Sequence, residues 1–157
     1  MKPLAKPITV EERRSRIERA RQLMTDNKID AIVLGGGTSL MYFSNIRWWL
    51  SERFFGMVLP VKGEPFYVCP AFEEDRAREQ ISRGPMGNSA DIRIWQEDQS
   101  PYERLALGLK DRGITSGKLG IEETTYFVFS DNIARVAPGL QCVSATPVTA
   151  GCRMIKS

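Results

Sequence analysis

Apolar positions along this chain alternate between helical and extended spacing. Ile17, Ala20, Leu23 and Met24 share one face at helical spacing, and Thr9-Val10-Glu11-Glu12 ahead of them reads as a capping box that starts the helix. Ala31-Ile32-Val33-Leu34 is an apolar run long enough for a buried strand, ending in Gly35-Gly36-Gly37, and a short helical element is expected before the next strand. Phe54 to Val61 and Phe66 to Cys69 are two strand-like runs separated by the turn Lys62-Gly63-Glu64-Pro65, which predicts an antiparallel hairpin. A charged amphipathic helix is expected over Phe72 to Ser82, and Asp91 to Trp95 alternates like a half-buried strand. Ser100-Pro101-Tyr102-Glu103 is a second helix start, with Gly113 where a terminating glycine belongs. Lys118 to Glu122 reads as a strand, Thr124 to Ala137 as a helix stopped by Pro138-Gly139, and Gln141 to Ser144 as a last strand. This alternation predicts an α/β domain in which helices flank a mixed sheet, the hairpin supplying its antiparallel part.

The segment 146–157 carries proline and glycine and follows the last predicted strand, so it reads as the start of a linker after a domain spanning 1–145. The bulk composition fits one globular domain: 42% of residues are hydrophobic and 26% charged. A net charge of +3 is too mild to predict nucleic-acid binding. Arg13, Arg14, Arg16, Arg19 and Arg21 crowd the first helix among Glu11, Glu12 and Glu18, and they read as a solvated face with ion pairs four residues apart. No apolar run approaches a membrane span, and Met1 to Thr9 has no apolar core of a signal peptide. Cys69, Cys142 and Cys152 are sparse, odd in number and not spaced as Cys-x-x-Cys, which fits free thiols in a reducing compartment and a cytoplasmic location.

The chain contains no histidine, which excludes Ser-His-Asp and Cys-His catalysis and any histidine-bearing zinc site built from its own residues. The triple glycine lacks the Gly-Lys-Ser/Thr and Gly-x-Gly-x-x-Gly patterns of phosphate loops and reads as a tight turn. Glu122 and Glu123 stand at a strand end, but no further ligand spacing supports a metal there. The unusual stretch is Tyr42 to Gly56, with adjacent Trp48 and Trp49 and the arginines Arg47 and Arg53. Aromatic rings beside guanidinium groups in a loop suit a binding surface, since the rings give rigid contact area and arginine gives forked recognition of carboxylate. The alternative is structural, with the tryptophans packed on the sheet edge and Arg53 paired to Glu52 or another acid.

The order and spacing of these segments resemble the N-terminal domain of the creatinase/prolidase superfamily, which includes Xaa-Pro dipeptidase, aminopeptidase P and creatinase. The resemblance rests on the Glu12-to-Ile17 helix, Ile29 to Leu34, Tyr42-Phe43-Ser44-Asn45-Ile46 (Asn45 standing where the family has glycine), Arg53 to Val58, Lys118 to Glu122, Val143 to Val148 and Arg153 to Ser157. It implies a ribonuclease H-like α/β fold and no catalytic residue in this chain. The chemistry would lie in a following pita-bread metallopeptidase domain holding two divalent metals (manganese, cobalt or zinc). It further implies a homodimer in which this domain covers the partner's active site and limits substrate length. Arg53 would hold the carboxylate of a proline-containing dipeptide, and Trp48 or Trp49 would line the proline pocket. A creatinase-like amidinohydrolase carrying the same domain and a stand-alone interaction module are the other readings of this sequence.

Overall fold

The computed structural model describes residues 8–154. Its elements are α1 (Val10–Asp26), β1 (Ala31–Gly35), α2 (Thr38–Ser44), β2 (Gly56–Pro60), β3 (Phe66–Pro70), α3 (Glu74–Ser82), β4 (Asp91–Trp95), α4 (Pro101–Asp111), β5 (Gly117–Ile121), α5 (Phe127–Val136), β6 (Leu140–Ser144) and α6 (Thr146–Met154). They form one six-stranded sheet in the order β4-β3-β2-β1-β5-β6. The hairpin is present: β2 pairs antiparallel with both β1 and β3, and the β3–β4, β1–β5 and β5–β6 pairs are parallel. Five strands therefore point one way and β2 alone runs back.

Both sheet faces are buried, so the central strands read as continuous apolar runs while their residues alternate between two cores. Ile32, Leu34, Met57, Leu59, Tyr67 and Cys69 face one core with Ile17, Ala20 and Met24 of α1, Phe43 of α2, Ile81 of α3 and Val148 of α6. Ala31, Val33, Val58, Phe66, Val68, Leu119 and Ile121 face the other with Leu105 and Leu109 of α4 and Phe129 and Ile133 of α5. Each such aliphatic or aromatic side chain withdrawn from water contributes about 1.5–3 kcal/mol.

The expected helix starts are formed. Thr9 Oγ1 accepts from the Glu12 N–H at 3.1 Å, and Ser100 Oγ accepts from Glu103 N–H at 3.2 Å with Pro101 in the first turn. Gly113, at φ +78°, closes α4 through Gly113 N–H to Lys110 O at 2.9 Å and Ile114 N–H to Leu109 O at 2.9 Å. α1 closes in the same way, but its left-handed position is Lys28 at φ 57°. There the Ile29 N–H bonds Met24 O at 2.8 Å. A lysine in that conformation carries a steric cost that glycine escapes. Lys28→Gly is expected to stabilise the fold by about 0.5–1 kcal/mol, read as a higher urea midpoint at unchanged slope.

Two expectations are corrected. Residues 146–154 of the expected linker are the helix α6, which buries Val148, Thr149 and Cys152. Gly151 lets it approach α1 closely, since a Cβ there would lie 3.1 Å from Leu23 Cδ1. Residues 155–157 of that segment lie outside the described residues. The arginine face of α1 is not uniformly solvated either: Arg13 is only 7% exposed. Smaller shifts have local causes. β2 begins at Gly56 because its ladder partner β1 ends at Gly35, so Phe54 and Phe55 are buried ahead of the ladder. A turn from Glu122 to Thr125, closed by Thr125 N–H to Glu122 O at 3.0 Å, delays α5 to Phe127.

Candidate functional site

Because only β2 runs against the rest, the C-terminal ends of β1, β3, β4, β5 and β6 share one edge of the sheet, together with the loop that enters β2. In open α/β sheets that edge is where ligands bind. The aromatic and arginine stretch forms this entering loop.

The loop is held at its start by the end of α2. Asn45 adopts the left-handed conformation, φ 66° and ψ 18°, that a glycine would take most easily and that asparagine tolerates best among other residues. The turn expected from a glycine at this position is therefore kept. Arg13 reaches across from α1, donating through Nη1 to Met41 O at 2.6 Å and Tyr42 O at 2.8 Å, and through Nη2 to Asn45 Oδ1 at 3.3 Å. Its cation thus sits at the negative end of the α2 dipole. Burial first, and then the neighbouring Arg16, holds the pKa of Arg13 below its ordinary value. One turn further, Gln80 of α3 clamps the Arg47 backbone: its Oε1 accepts from Arg47 N–H at 2.6 Å, and its Nε2 donates to Arg47 O at 3.2 Å.

Trp48 and Trp49, adjacent in sequence, part company here. Trp48 is 6% exposed and stacks on Phe55 at 4.2 Å between centroids, with the Arg76 guanidinium 4.1 Å above its ring. Trp49 is 80% exposed. Their backbone carbonyls lie directly over Gly36, where a Cβ would come within 2.6 Å of the Trp49 carbonyl carbon and 2.8 Å of Trp48 O. This close approach is the use of the triple glycine that its turn-like appearance did not reveal. Gly36→Ala is expected to cost about 2 kcal/mol by pushing the loop off the sheet edge. The accompanying red shift of tryptophan emission, as the Trp48 indole meets water, checks it.

Arg53 lies at the far end of the loop. Ser51 Oγ accepts from Arg53 N–H at 3.3 Å and donates to Arg53 O at 3.0 Å, which fixes the backbone. Trp95 Nε1–H donates to Phe54 O at 3.0 Å and ties the loop to the end of β4. Arg53 Nε then donates to Glu97 Oε1 at 2.6 Å, and its guanidinium carbon lies 4.9 Å from the Phe72 ring centroid. The hydrogen bond to Glu97 raises the arginine's pKa above its ordinary value. Arg53, Trp48, Ser51, Phe72 and Glu73 line a cleft of about 500 Å³; Trp49 does not line it. Glu97, Phe72, Arg76 and Gln80 had no sequence signal, since each meets the loop across 19 or more residues of chain.

Other candidates at this edge are structurally employed. Glu122 accepts from Ser39 Oγ at 2.6 Å and Glu123 accepts from Ser144 Oγ at 3.1 Å, so the two carboxylates are held by different hydroxyls. No cluster of three His, Cys, Asp or Glu side chains that could hold a metal occurs among the described residues. Burial, reinforced by Glu73 and Glu74, pushes the Cys69 thiol up to about 12, so it stays protonated and poorly nucleophilic. A larger groove of about 670 Å³ lies between α4 and α5 at the opposite end of the strands. Its walls, including Ala106, Leu107, Ile114 and Leu140, are mainly aliphatic, and none of the candidate site residues Trp48, Trp49 and Arg53 lines it.

The chain has relatives among known proteins. It is 32% identical over 112 residues to an uncharacterized peptidase of Schizosaccharomyces pombe, a match covering 62% of this chain and 24% of that protein. The dipeptidase PepE from Mycobacterium ulcerans superposes with a TM-score of 0.80 at 25% identity, over 92% of this chain and 37% of its own. The N-terminal domain of Xaa-Pro dipeptidase from Lactobacillus brevis superposes with a TM-score of 0.75 at 15% identity, over 89% of this chain and 99% of that domain. This chain therefore spans about a quarter of the yeast relative, and it coincides with a domain-sized piece of the solved dipeptidases. The sequence model of the Creatinase/Prolidase N-terminal domain matches residues 16–155, and the chain belongs to that family.

Proposed function

We propose that this chain is the non-catalytic, substrate-gating domain of a metal-dependent Xaa-Pro dipeptidase, in which Arg53 receives the substrate carboxylate. The observation that carries this reading is the Arg53 guanidinium at the cleft. It is tethered through Nε only, and no hydrogen bond from either Nη is formed among the described residues. A dipeptidase needs such a group, because a free carboxylate is what distinguishes a dipeptide from a longer chain. Trp48 supplies the apolar wall of the cleft, and the exposed Trp49 is placed to meet whatever covers this edge. The relatives, a peptidase and two dipeptidases by name, support the reaction class.

The two divalent metals of this reaction do not fit the residues described here, which offer no converging ligand set, and the sequence has no histidine. In this reading they belong to a C-terminal catalytic domain, where they would activate water and polarise the amide. A homodimer would bring this edge over the partner's active site. No described helix is long and apolar enough to cross a membrane, and the cytoplasmic location stays part of the proposal.

The test is a substrate panel on the intact protein: Xaa-Pro dipeptides, longer Xaa-Pro peptides and creatine. Cleavage confined to Xaa-Pro dipeptides supports the reading. Preferred cleavage of longer peptides would assign an aminopeptidase, turnover of creatine an amidinohydrolase, and no turnover of any of them an interaction module.

A further inference from the structure

Arg53 carries a long, flexible stem and is half exposed, with 49% of its side chain accessible. A guanidinium in that situation loses torsional freedom when a ligand seizes it, which weakens binding unless the loss is met beforehand. Three restraints meet it here. The Ser51 hydroxyl fixes the backbone at both Arg53 N–H and C=O, Glu97 holds Nε at 2.6 Å, and the Phe72 ring lies beneath the guanidinium plane. Glu97 is itself placed by the Trp95–Phe54 hydrogen bond two residues earlier. The other acid lining this part of the cleft, Glu73, is bonded to Arg76 at 3.2 Å. The restraints occupy Nε and one face of the group and leave both Nη donors.

We infer that Glu97 and Phe72 are positioning residues for carboxylate recognition: they pre-orient Arg53 so that its two Nη donors act as a fork toward the cleft. The inference rests on the proposed role of Arg53. A second carboxylate on the same guanidinium also repels the first. Glu97 is 66% exposed, so water weakens its repulsion of a second, more distant carboxylate more than its own 2.6 Å contact with Nε. Positioning therefore outweighs competition, and removing Glu97 weakens recognition.

The test uses the intact protein with glycyl-proline and glycyl-prolinamide, in the parent, Glu97→Ala, Glu97→Gln, Phe72→Ala and Arg53→Ala forms. Gln keeps an oxygen to accept from Nε and loses the charge. Glu97→Ala and Phe72→Ala are expected to raise KM for glycyl-proline about fivefold, with kcat within about twofold and KM for the amide unchanged. Glu97→Gln is expected to stay within about twofold of the parent. A KM that falls in Glu97→Ala would make Glu97 a competitor and overturn the inference. So would equal changes for acid and amide, or a Gln variant as weak as Ala. If Arg53→Ala abolishes the preference for the acid while the Glu97 variants are silent, the positioning role alone fails. If Arg53→Ala leaves that preference intact, or the parent hydrolyses neither compound, the role of Arg53 and this inference fail together.

Discussion

Arg53→Ala in the intact protein is expected to raise KM for Xaa-Pro dipeptides roughly 10- to 100-fold and to leave KM for the corresponding amides nearly unchanged. The expected effect is large because the interaction lost is a charge-assisted pair between a fixed guanidinium and a free carboxylate. It falls on KM because the carboxylate does not change charge during amide hydrolysis, so ground state and transition state lose it alike. Arg53 touches the rest of the fold mainly through the exposed Glu97 and Phe72, so its removal should not unfold the domain. Lysine in its place should recover only part of the effect, because an ammonium lacks the planar two-donor edge. Equal losses for acid and amide would mean that the loop had moved as a whole, and the clamp would have to be abandoned.

Arg13→Ala is expected to be the most destabilising of the changes considered, by about 2–4 kcal/mol. Arg13 is 7% exposed and satisfies part-buried carbonyl oxygens at the end of α2. Its loss removes the bonds to Met41 O, Tyr42 O and Asn45 Oδ1 and the packing of its stem. Some of the cost is softened, because Arg16 also donates to Tyr42 O at 2.8 Å and Asn45 N–H to Met41 O at 3.0 Å. For a domain of this size the Tm should fall by about 5–15 °C. Arg14→Ala, on the exposed face of the same helix, should change stability by less than about 0.5 kcal/mol. Scanning calorimetry of the two variants separates a buried cap from a solvated charge.

The helix order, the hairpin and the caps at Thr9 and Ser100 were legible because they depend on neighbours within a few residues. The signature of α6 was also present: Pro147 falls in its first turn, and Ala145, Val148 and Cys152 fall on one buried side. The flanking proline and glycine hid it, although proline is at home in a first turn and Gly151 serves close packing on α1. The loop from Tyr42 to Gly56 was recognisable as unusual from its aromatic and arginine content. Its internal division was not. Trp48 and Trp49 are equivalent in sequence, and only the Gly36 contact and the Phe55 stack decide which is buried. Arginine reads as solvent-facing by default, so Arg13 gave no sign that it caps another helix 28 residues away. The Arg53–Glu97 pair spans 44 residues and exists only because β2 starts at the edge where β3 and β4 end.

The most direct measurement is hydrolysis of glycyl-proline by the purified 157-residue chain alone, supplied with manganese, beside the intact protein. The account predicts turnover by the intact protein and none above background by the chain. Turnover that scales with the concentration of the isolated chain and disappears with a chelator would contradict it, because it would place the metal centre among residues that show no ligand set.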